Sequence, residues 1–160
     1  MLPMSMKITK STKLSGAQKD MICQLWNMEY PQKLAITPSA FDEFLEASAS
    51  QTHFLIIENE RDLVGWAYTF DREGDRWFSI IISHAHQGKG LGHVLLNLIK
   101  EKETCLNGWV IDHPHDRKQN GQPYLSPLSF YVKNGFTALP DTRLENEKIS
   151  AVKIEWKKQV

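Results

Sequence analysis

The sequence predicts a mixed α/β domain, and three observations lead to that prediction. Segments with strand-like and helix-like apolar spacing alternate in the order strand, two helices, three strands, helix, strand, helix and strands. The 160 residues fit one core, since domains hold roughly 100–200 residues. The composition, 41% hydrophobic and 24% charged, is ordinary for a globular protein. We expect one domain over residues 1–160, with residues 1–5 as a candidate disordered extension.

The first third of the chain predicts a strand followed by two helices. Residues 7–14 form the strand. Ser15 begins a capping box, and apolar residues at helical spacing carry the first helix to Glu29. Thr37 caps the second helix and Pro38 takes its first position, where the missing N–H of proline costs nothing.

Three segments rich in aromatic and branched residues follow, at residues 53–58, 63–70 and 77–82. Short polar turns separate them, a pattern that predicts an antiparallel meander. The unbroken run from Ile80 to Ile82 favours a strand buried on both faces.

The second half predicts a helix, a strand, a polar loop, a short helix and two further strands. Apolar residues of the first helix recur at i, i+3, i+4, i+7 and i+8. The short helix ends at Asn134-Gly135, a pair typical of a left-handed helix cap. The expected bounds, in that order, are residues 90–103, 109–112, 113–125, 126–133, 136–138 and 149–156.

The charge balance argues against a polyanionic partner. Lys plus Arg total 19 and Asp plus Glu total 19, whereas nucleic-acid binders usually carry a basic excess. No apolar run approaches the ~20 residues that span a bilayer. The two cysteines, Cys23 and Cys105, have no framework spacing. We expect a soluble, cytoplasmic protein with reduced thiols and neither nucleic acid nor membrane as partner.

The turn after the third meander strand is the most informative segment, because Gln87-x-x-Gly90-x-Gly92 stands between a strand and a helix. The first N–H groups of a helix lack intrahelical partners and point outward with the positive end of the dipole. Glycines let a phosphate approach these groups, and Lys89 adds a positive charge. The pattern favours a diphosphate ligand, and it also fits a plain glycine-rich turn before a core helix.

This turn and the later segment 130–136 (FYVKNGF) together resemble two motifs of the GNAT superfamily of N-acetyltransferases. In that family R/Q-x-x-G-x-G/A after the fourth strand binds the CoA pyrophosphate, and F/Y-Y-x-K-x-G-F forms a short helix beside the thiol. The resemblance implies a GNAT-like α/β (α+β) fold. That fold has a mixed, mostly antiparallel sheet, helices on both faces, and a splay between the fourth and fifth strands that admits CoA.

The resemblance also implies roles for individual residues. Tyr131 matches the family tyrosine that protonates the departing CoA thiolate, a role open to a phenol with a reference pKa of about 10. A core aromatic on a short helix is the alternative for Tyr131. Backbone groups of Ile80 and Ile82 are expected to pair with the pantetheine arm. The other implied cofactor-binding residues are Gln87, Gly88, Lys89, Gly90, Leu91, Gly92 and Asn134.

A second catalytic group must remove a proton from the amine, because an ammonium with a pKa of about 10 is not a nucleophile at pH 7. Some family members carry a glutamate on the fourth strand, at the position of Arg76. Asp112, at the end of the next strand, is therefore our first candidate for the base. His113 and Glu58 follow it.

We expect an enzyme that transfers the acetyl group of acetyl-CoA to a primary amine of a small molecule by direct attack in a ternary complex. A peptide or protein amine is the alternative acceptor, and a non-catalytic acyl-CoA-binding module is the alternative class. The resemblance leaves a homodimer open.

Two histidine pairs form a separate constellation, His84-x-His86 and His113-x-His115. Alternating residues of an extended segment face the same way, so each pair could chelate a metal. Neither pair has the spacing of a zinc signature, and we expect solvated loop histidines and no metal. A metal-dependent protein built on these pairs is the remaining alternative.

Overall fold

The computed structural model describes residues 2–159, whose strands form one seven-stranded sheet. The strands are β1 (Met6–Ser11), β2 (Ala49–Glu58), β3 (Asp62–Arg72), β4 (Asp75–Ile82), β5 (Cys105–Ile111), β6 (Thr137–Glu145) and β7 (Ser150–Lys157). Their spatial order is β1-β2-β3-β4-β5-β7-β6. The β4–β5 pair is parallel, and the other neighbouring pairs are antiparallel. The predicted mixed, mostly antiparallel sheet is confirmed.

Four α-helices connect these strands within residues 2–159. They are α1 (Gly16–Glu29), α2 (Pro38–Glu46), α3 (Leu91–Lys100) and α4 (Leu128–Lys133), with 3₁₀ turns at Gln32–Leu34 and His84–His86. The capping box of α1 is confirmed, because the Ser15 hydroxyl accepts from the Gln18 N–H and the Gln18 side chain accepts from the Ser15 N–H. Among these helices, none has both the length and the apolarity to cross a bilayer.

Helices cover both faces of the sheet, as predicted. On one face α1 and α2 pack Ile22 and Phe41 against Trp66 and Tyr68 of β3. On the other face α3 and α4 contribute a second cluster of buried side chains. That cluster includes Leu91, Leu95, Leu96, Ile99 and Tyr131, packed with Phe54, Ile56 and Phe78.

The expected burial of both faces of β4 is wrong at its carboxyl end. Ile81 is buried in the α1–α2 cluster, whereas Ile80 and Ile82 on the opposite face are only half-buried. The reason is that a cavity opens beside β4 at this point.

β4 and β5 pair only near their amino ends. One residue pair, Trp77 with Asn107, joins them, and each of these residues is the third of its strand. Beyond this pair the two strands share no partner, so their carboxyl halves diverge. The predicted splay is confirmed.

Strands β2 to β6 are all longer than expected, and packing explains the extension of β5 and β6. β5 begins at Cys105 because the polar pair Asn107-Gly108 is interior: the Asn107 amide donates to the Arg76 carbonyl, and a Cβ on Gly108 would stand 2.8 Å from the Phe78 ring. β6 runs to Glu145 because it is an edge strand, where polar residues and proline are tolerated.

Leu2 and Ser5, within the candidate extension, contact the rest of the fold. Leu2 packs against the α3-side core, and the Ser5 carbonyl accepts a hydrogen bond from Asn59 at 2.8 Å. Met1, the first residue of the candidate disordered extension, lies outside the described residues.

Candidate active site

A cavity of about 690 Å³ lies where β4 and β5 diverge. Its walls are formed by the end of α1, the last residues of β4, the loop before α4, and α4 itself. The turn at residues 87–92, called the glycine turn below, completes them. The structure brings most of the predicted site residues together here. Those that line the cavity are Ile80, Ile82, Gln87, Gly88, Gly90, Leu91, Gly92 and Tyr131. Lys89, Asn134 and Asp112 do not line it.

The backbone of β4 turns toward this cavity at alternate residues. The Ser83 N–H donates to the Val64 carbonyl of β3 at 2.9 Å. Hydrogen-bonded and non-hydrogen-bonded pairs alternate along an antiparallel ladder, so Ile80 and Ile82 direct their N–H and C=O groups away from β3. β5 has diverged at this level, and the Ile82 carbonyl accepts instead from the Gln87 side chain at 3.1 Å. The N–H groups of both isoleucines and the Ile80 carbonyl therefore face the gap.

The glycine turn holds its shape through two left-handed residues. Gly88 has φ +77° and Gly90 has φ +82°, a region that favours glycine. Gly90 caps α3, and the Val94 N–H is the first to donate along the helix, to the Gly90 carbonyl at 3.1 Å. The N–H groups of the first helical residues, from Leu91 onward, are left without an intrahelical acceptor. The Gln87 N–H differs, because it donates to His84 at 3.3 Å.

The two motif segments contact each other directly. A Cβ on Gly92 would stand 3.3 Å from the Phe130 ring, so glycine lets α4 approach the start of α3 closely. Asn134 connects the same two helices, since its side chain pairs with His93 at 3.0 Å and donates to the Phe130 carbonyl at 2.7 Å. Lys100 donates to the Asn134 carbonyl at 2.6 Å. Asn134 thus positions α4 beside the glycine turn.

Tyr131 lies on the cavity wall, with its ring packed against Phe78 at 5.5 Å and Phe136 at 5.4 Å. Its hydroxyl makes no hydrogen bond with another residue in the described range, 2–159. Burial raises the pKa of Tyr131 well above its usual value, and the neighbouring phenols Tyr30 and Tyr124 raise it further. The group is therefore a protonated donor at every physiological pH.

Tyr30 and Tyr124 complete a cluster of three phenols around the cavity. Burial raises the pKa of Tyr30 to about 12, an effect that the Ser79 hydroxyl partly offsets. Burial also raises the pKa of Tyr124, with a contribution from Tyr30. Sequence reasoning missed Tyr124, because it belongs to a loop that reads as polar and solvated.

A buried ion pair lies on the same wall. The Lys118 ammonium donates to Glu29 Oε1 at 2.8 Å, and the His84 N–H donates to Glu29 Oε2 at 2.9 Å. Glu29 is 5% exposed and Lys118 is 7% exposed. Sequence reasoning missed this pair, since its members stand 89 residues apart and neither belongs to a motif.

Asp112, our first candidate for the base, lies elsewhere. Its two oxygens accept from the Arg143 guanidinium at 2.9 and 3.0 Å, in a second, polar depression. The hydrogen bonds from Arg143 lower the pKa of Asp112, and the carboxylate lies outside the cavity. The structure therefore does not bring Asp112 to Tyr131.

The other candidates for the base are also held away from the cavity wall. His113 lies in the depression with Asp112, and its ring stands 3.7 Å from Asp116. Glu58 pairs with the His86 ring at 3.1 Å, and only the histidine of this pair lines the cavity. Arg76 belongs to the far end of β4, where it holds Glu103 at 3.0 Å.

The two histidine pairs lie in different places. His84 and His86 line the cavity, whereas His113 and His115 line the second depression, with their rings stacked at 5.1 Å. Within residues 2–159, no three His, Cys, Asp or Glu side chains are grouped as a metal ion would require. The four histidines therefore do not assemble one shared site.

Comparison with known proteins shows the family. Residues 50–138, more than half of the chain, match the model of the GNAT acetyltransferase domain. The chain belongs to the GNAT acetyltransferase family. This membership confirms the predicted class of enzyme, an N-acetyltransferase, and its acyl donor, acetyl-CoA.

Solved structures share the fold at low sequence identity. An aminoglycoside 6'-N-acetyltransferase complexed with coenzyme A aligns with a TM-score of 0.69 at 13% identity, covering 94% of this chain and 96% of its own. A phosphinothricin acetyltransferase from Sinorhizobium meliloti, in complex with AcCoA, gives 0.67 at 12% identity, covering 96% and 89%. ElaA from Escherichia coli gives 0.63 at 16% identity, covering 95% and 99%. No curated protein matches the chain.

Proposed function

We propose that this protein transfers the acetyl group of acetyl-CoA to the primary amine of a small molecule. One observation carries the proposal: the free edge of β4, the glycine turn and the Tyr131 hydroxyl meet in one cavity between two diverging strands. Each part meets one requirement of the reaction. The edge of β4 can align an extended arm, the glycine turn can bind a pyrophosphate, and the hydroxyl can protonate a leaving thiolate.

The residues of the cavity fit the donor. The N–H groups at the start of α3 lack intrahelical acceptors and can bind a pyrophosphate. Gly88 and Gly90, with positive φ, shape the turn and place no side chain in the way. Lys89, exposed beside the turn, adds a positive charge. The outward N–H and C=O groups of Ile80 can hydrogen-bond the amides of the pantetheine arm as a neighbouring strand would.

Transfer proceeds by direct attack of the amine. Bound acetyl-CoA supplies a thioester carbon, and a C–N bond forms as the C–S bond breaks. An N–H of β4 at Ile80 or Ile82 donates to the carbonyl oxygen, where negative charge develops. Tyr131, a phenol that burial keeps protonated at pH 7, donates its proton to the sulfur as the C–S bond breaks, and the nitrogen of the new amide passes its remaining extra proton to the phenoxide.

Glu29 replaces Asp112 as the group that receives the amine. Of the described residues that line the cavity, Glu29 alone carries a carboxylate. Its two oxygens each accept one hydrogen bond, which leaves lone pairs for an ammonium. The amine gives up its proton to this carboxylate before it attacks.

Calorimetric titration with acetyl-CoA tests the donor site, with the variant Gly90→Glu and the control Gly74→Glu. Both glycines have positive φ, +82° and +83°, and open space around the Cβ position, so the backbone strain is matched. Gly74 lies in the turn between β3 and β4, outside the cavity lining. We expect saturable binding to the wild type and the control, and at least about 100-fold weaker binding to Gly90→Glu, since a carboxylate would repel the pyrophosphate. Equal binding to all three proteins would contradict the proposed site.

Release of the CoA thiol in the presence of an amine panel tests the reaction. The panel contains monoamines, amino acids, polyamines, an aminoglycoside and a short peptide with a free amine. We expect a small molecule to be acetylated best. A clear preference for the peptide would move the acceptor to the protein class and leave the chemistry intact.

A further inference from the structure

The charges on the cavity wall are few and balanced. Glu29 and Lys118 are the only Asp, Glu, Lys or Arg side chains among the described residues that line it. The rest of the acceptor side is aromatic or neutral, including Tyr30, Tyr124 and Pro123. An acceptor therefore meets one negative and one positive group, held side by side.

This pair is buried at a cost and is not fully used. Removing two charges from water is unfavourable, and their mutual attraction offsets the loss of hydration only when further hydrogen bonds satisfy both groups. An ammonium has three donors, and the Lys118 ammonium makes a single hydrogen bond with the residues of the range 2–159, to Glu29. The unused donors of Lys118 and lone pairs of Glu29 are available to a ligand in the cavity.

The loop before α4 is built to present Lys118. Arg117 and Pro123 form an isolated antiparallel bridge, and the Lys118 N–H donates to the Gln122 carbonyl at 2.9 Å. The Gly121 N–H donates back to the Lys118 carbonyl at 3.0 Å. A tight hairpin thus holds the main chain at Lys118, and the hydrogen bond to Glu29 holds the ammonium on the cavity wall.

Charge complementarity selects among amine acceptors. A polycation loses hydration when it binds, and several carboxylates are needed to compensate for that loss. This wall offers one carboxylate, and the charge of Lys118 already balances it. A plain monoamine would leave the Lys118 donors unused. An amine that also carries an oxyanion satisfies both groups, because its ammonium and its oxyanion stand close together, as Glu29 and Lys118 do.

We propose that the acceptor is a compact zwitterion, an amine bearing a carboxylate or similar oxyanion, with its ammonium at Glu29 and its oxyanion at Lys118. This inference rests on the proposed acetyl transfer and names the substrate class of the same site. It makes Lys118 the residue that distinguishes an amino acid from the corresponding plain amine.

Matched pairs of acceptors test the inference. Each pair is an amino acid and its decarboxylated amine, L-leucine with isoamylamine and L-phenylalanine with phenethylamine, and spermidine and kanamycin represent polycations. The readout is the ratio of kcat/KM within a pair. We expect a ratio of about 10 to 100 in the wild type, since a charge-assisted hydrogen bond to the oxyanion is lost with the plain amine.

Three variants assign the ratio to Lys118. Lys118→Met should bring it to about 1, and Lys118→Arg, which keeps the cation, should restore most of it. Lys33→Met is the matched control, because Lys33 holds the same loop through Asp116 at 3.3 Å but lies outside the cavity lining. The control should keep the wild-type ratio.

Several results would overturn the inference. A wild-type ratio near 1, better turnover of spermidine or kanamycin than of any amino acid, or an unchanged ratio in Lys118→Met would each do so. The wild-type ratio decides the matter even if Lys118→Met fails to fold. Equal turnover of amino acids and plain amines would contradict the zwitterion proposal and would still support acetyl transfer. Saturable binding of acetyl-CoA with no turnover of any amine would instead contradict the proposed acetyl transfer itself.

Discussion

The two halves of the cavity are constructed differently. The half that we propose binds the donor consists of the end of β4, the glycine turn and the start of α3, a continuous stretch from Ile80 to Gly92. The half that we propose binds the acceptor joins the end of α1 to a loop that follows β5, through a pair 89 residues apart. The first half presents backbone groups, and the second presents side chains. This difference means that side-chain substitutions should separate acceptor recognition from donor binding.

Glu29→Gln should show the largest effect. The change keeps the shape of the side chain and removes its capacity to take a proton, so kcat should fall about 10²- to 10³-fold. The affinity for acetyl-CoA should change less than about threefold, because Glu29 belongs to the acceptor half. Steady-state kinetics and calorimetric titration measure the two quantities. A fall in acetyl-CoA affinity equal to the fall in kcat would show that the halves are not separable.

Tyr131→Phe should lower kcat about 10- to 100-fold, because the leaving thiolate loses its proton donor. The ring remains, so its packing on Phe78 and Phe136 persists and the melting temperature should stay within a few degrees. The raised pKa of Tyr131 predicts that kcat of the wild type shows no loss attributable to this phenol between pH 6 and pH 9. A variant with wild-type kcat would leave Tyr131 as a core aromatic.

Lys89→Met should have a smaller effect, confined to the donor half. Lys89 is exposed, and exposed charge pairs contribute little, so the Kd of acetyl-CoA should rise only about 2- to 5-fold. The difference should shrink as salt is added, since screening weakens the wild-type interaction. Titrations at low and high ionic strength measure it. An effect that does not change with salt would place the lysine in a role other than phosphate attraction.

Asp112→Asn should have the smallest effect on catalysis, below about threefold in kcat. Its carboxylate is engaged by Arg143, and the lowered pKa of Asp112 means that the pair adds stability above the usual aspartate pKa and loses it on acidification. Because the group is partly exposed, the variant should lose no more than about 1 kcal/mol of unfolding free energy at pH 7. Chemical denaturation at pH 7 and pH 3 measures this. A loss of kcat comparable to that of Glu29→Gln would return Asp112 to the catalytic role.

The same contrast explains what could be predicted from the sequence. The elements of the fold follow from apolar period and caps, as Ser15 and Thr37 show for α1 and α2. The donor half can be predicted from the sequence because its residues are contiguous. Its glycines also mark positions where the backbone needs positive φ, at Gly88 and Gly90.

The acceptor half could not be predicted from the sequence, because its side chains meet only in the tertiary structure. Lys118 stands in a polar loop, and only the folded chain shows that it is buried against Glu29. Asp112 occupies a plausible position at the end of β5, yet Arg143 of β6 captures it. Pairing between distant side chains depends on tertiary structure, which local pattern does not encode.

Initial-rate kinetics with both substrates varied test the central claim most directly. Acetyl-CoA and L-leucine would be varied against each other, with release of the CoA thiol as the readout. Direct attack in a ternary complex predicts intersecting double-reciprocal lines and CoA release that depends on the amine. Parallel lines, or release that is independent of every amine offered, would contradict the account.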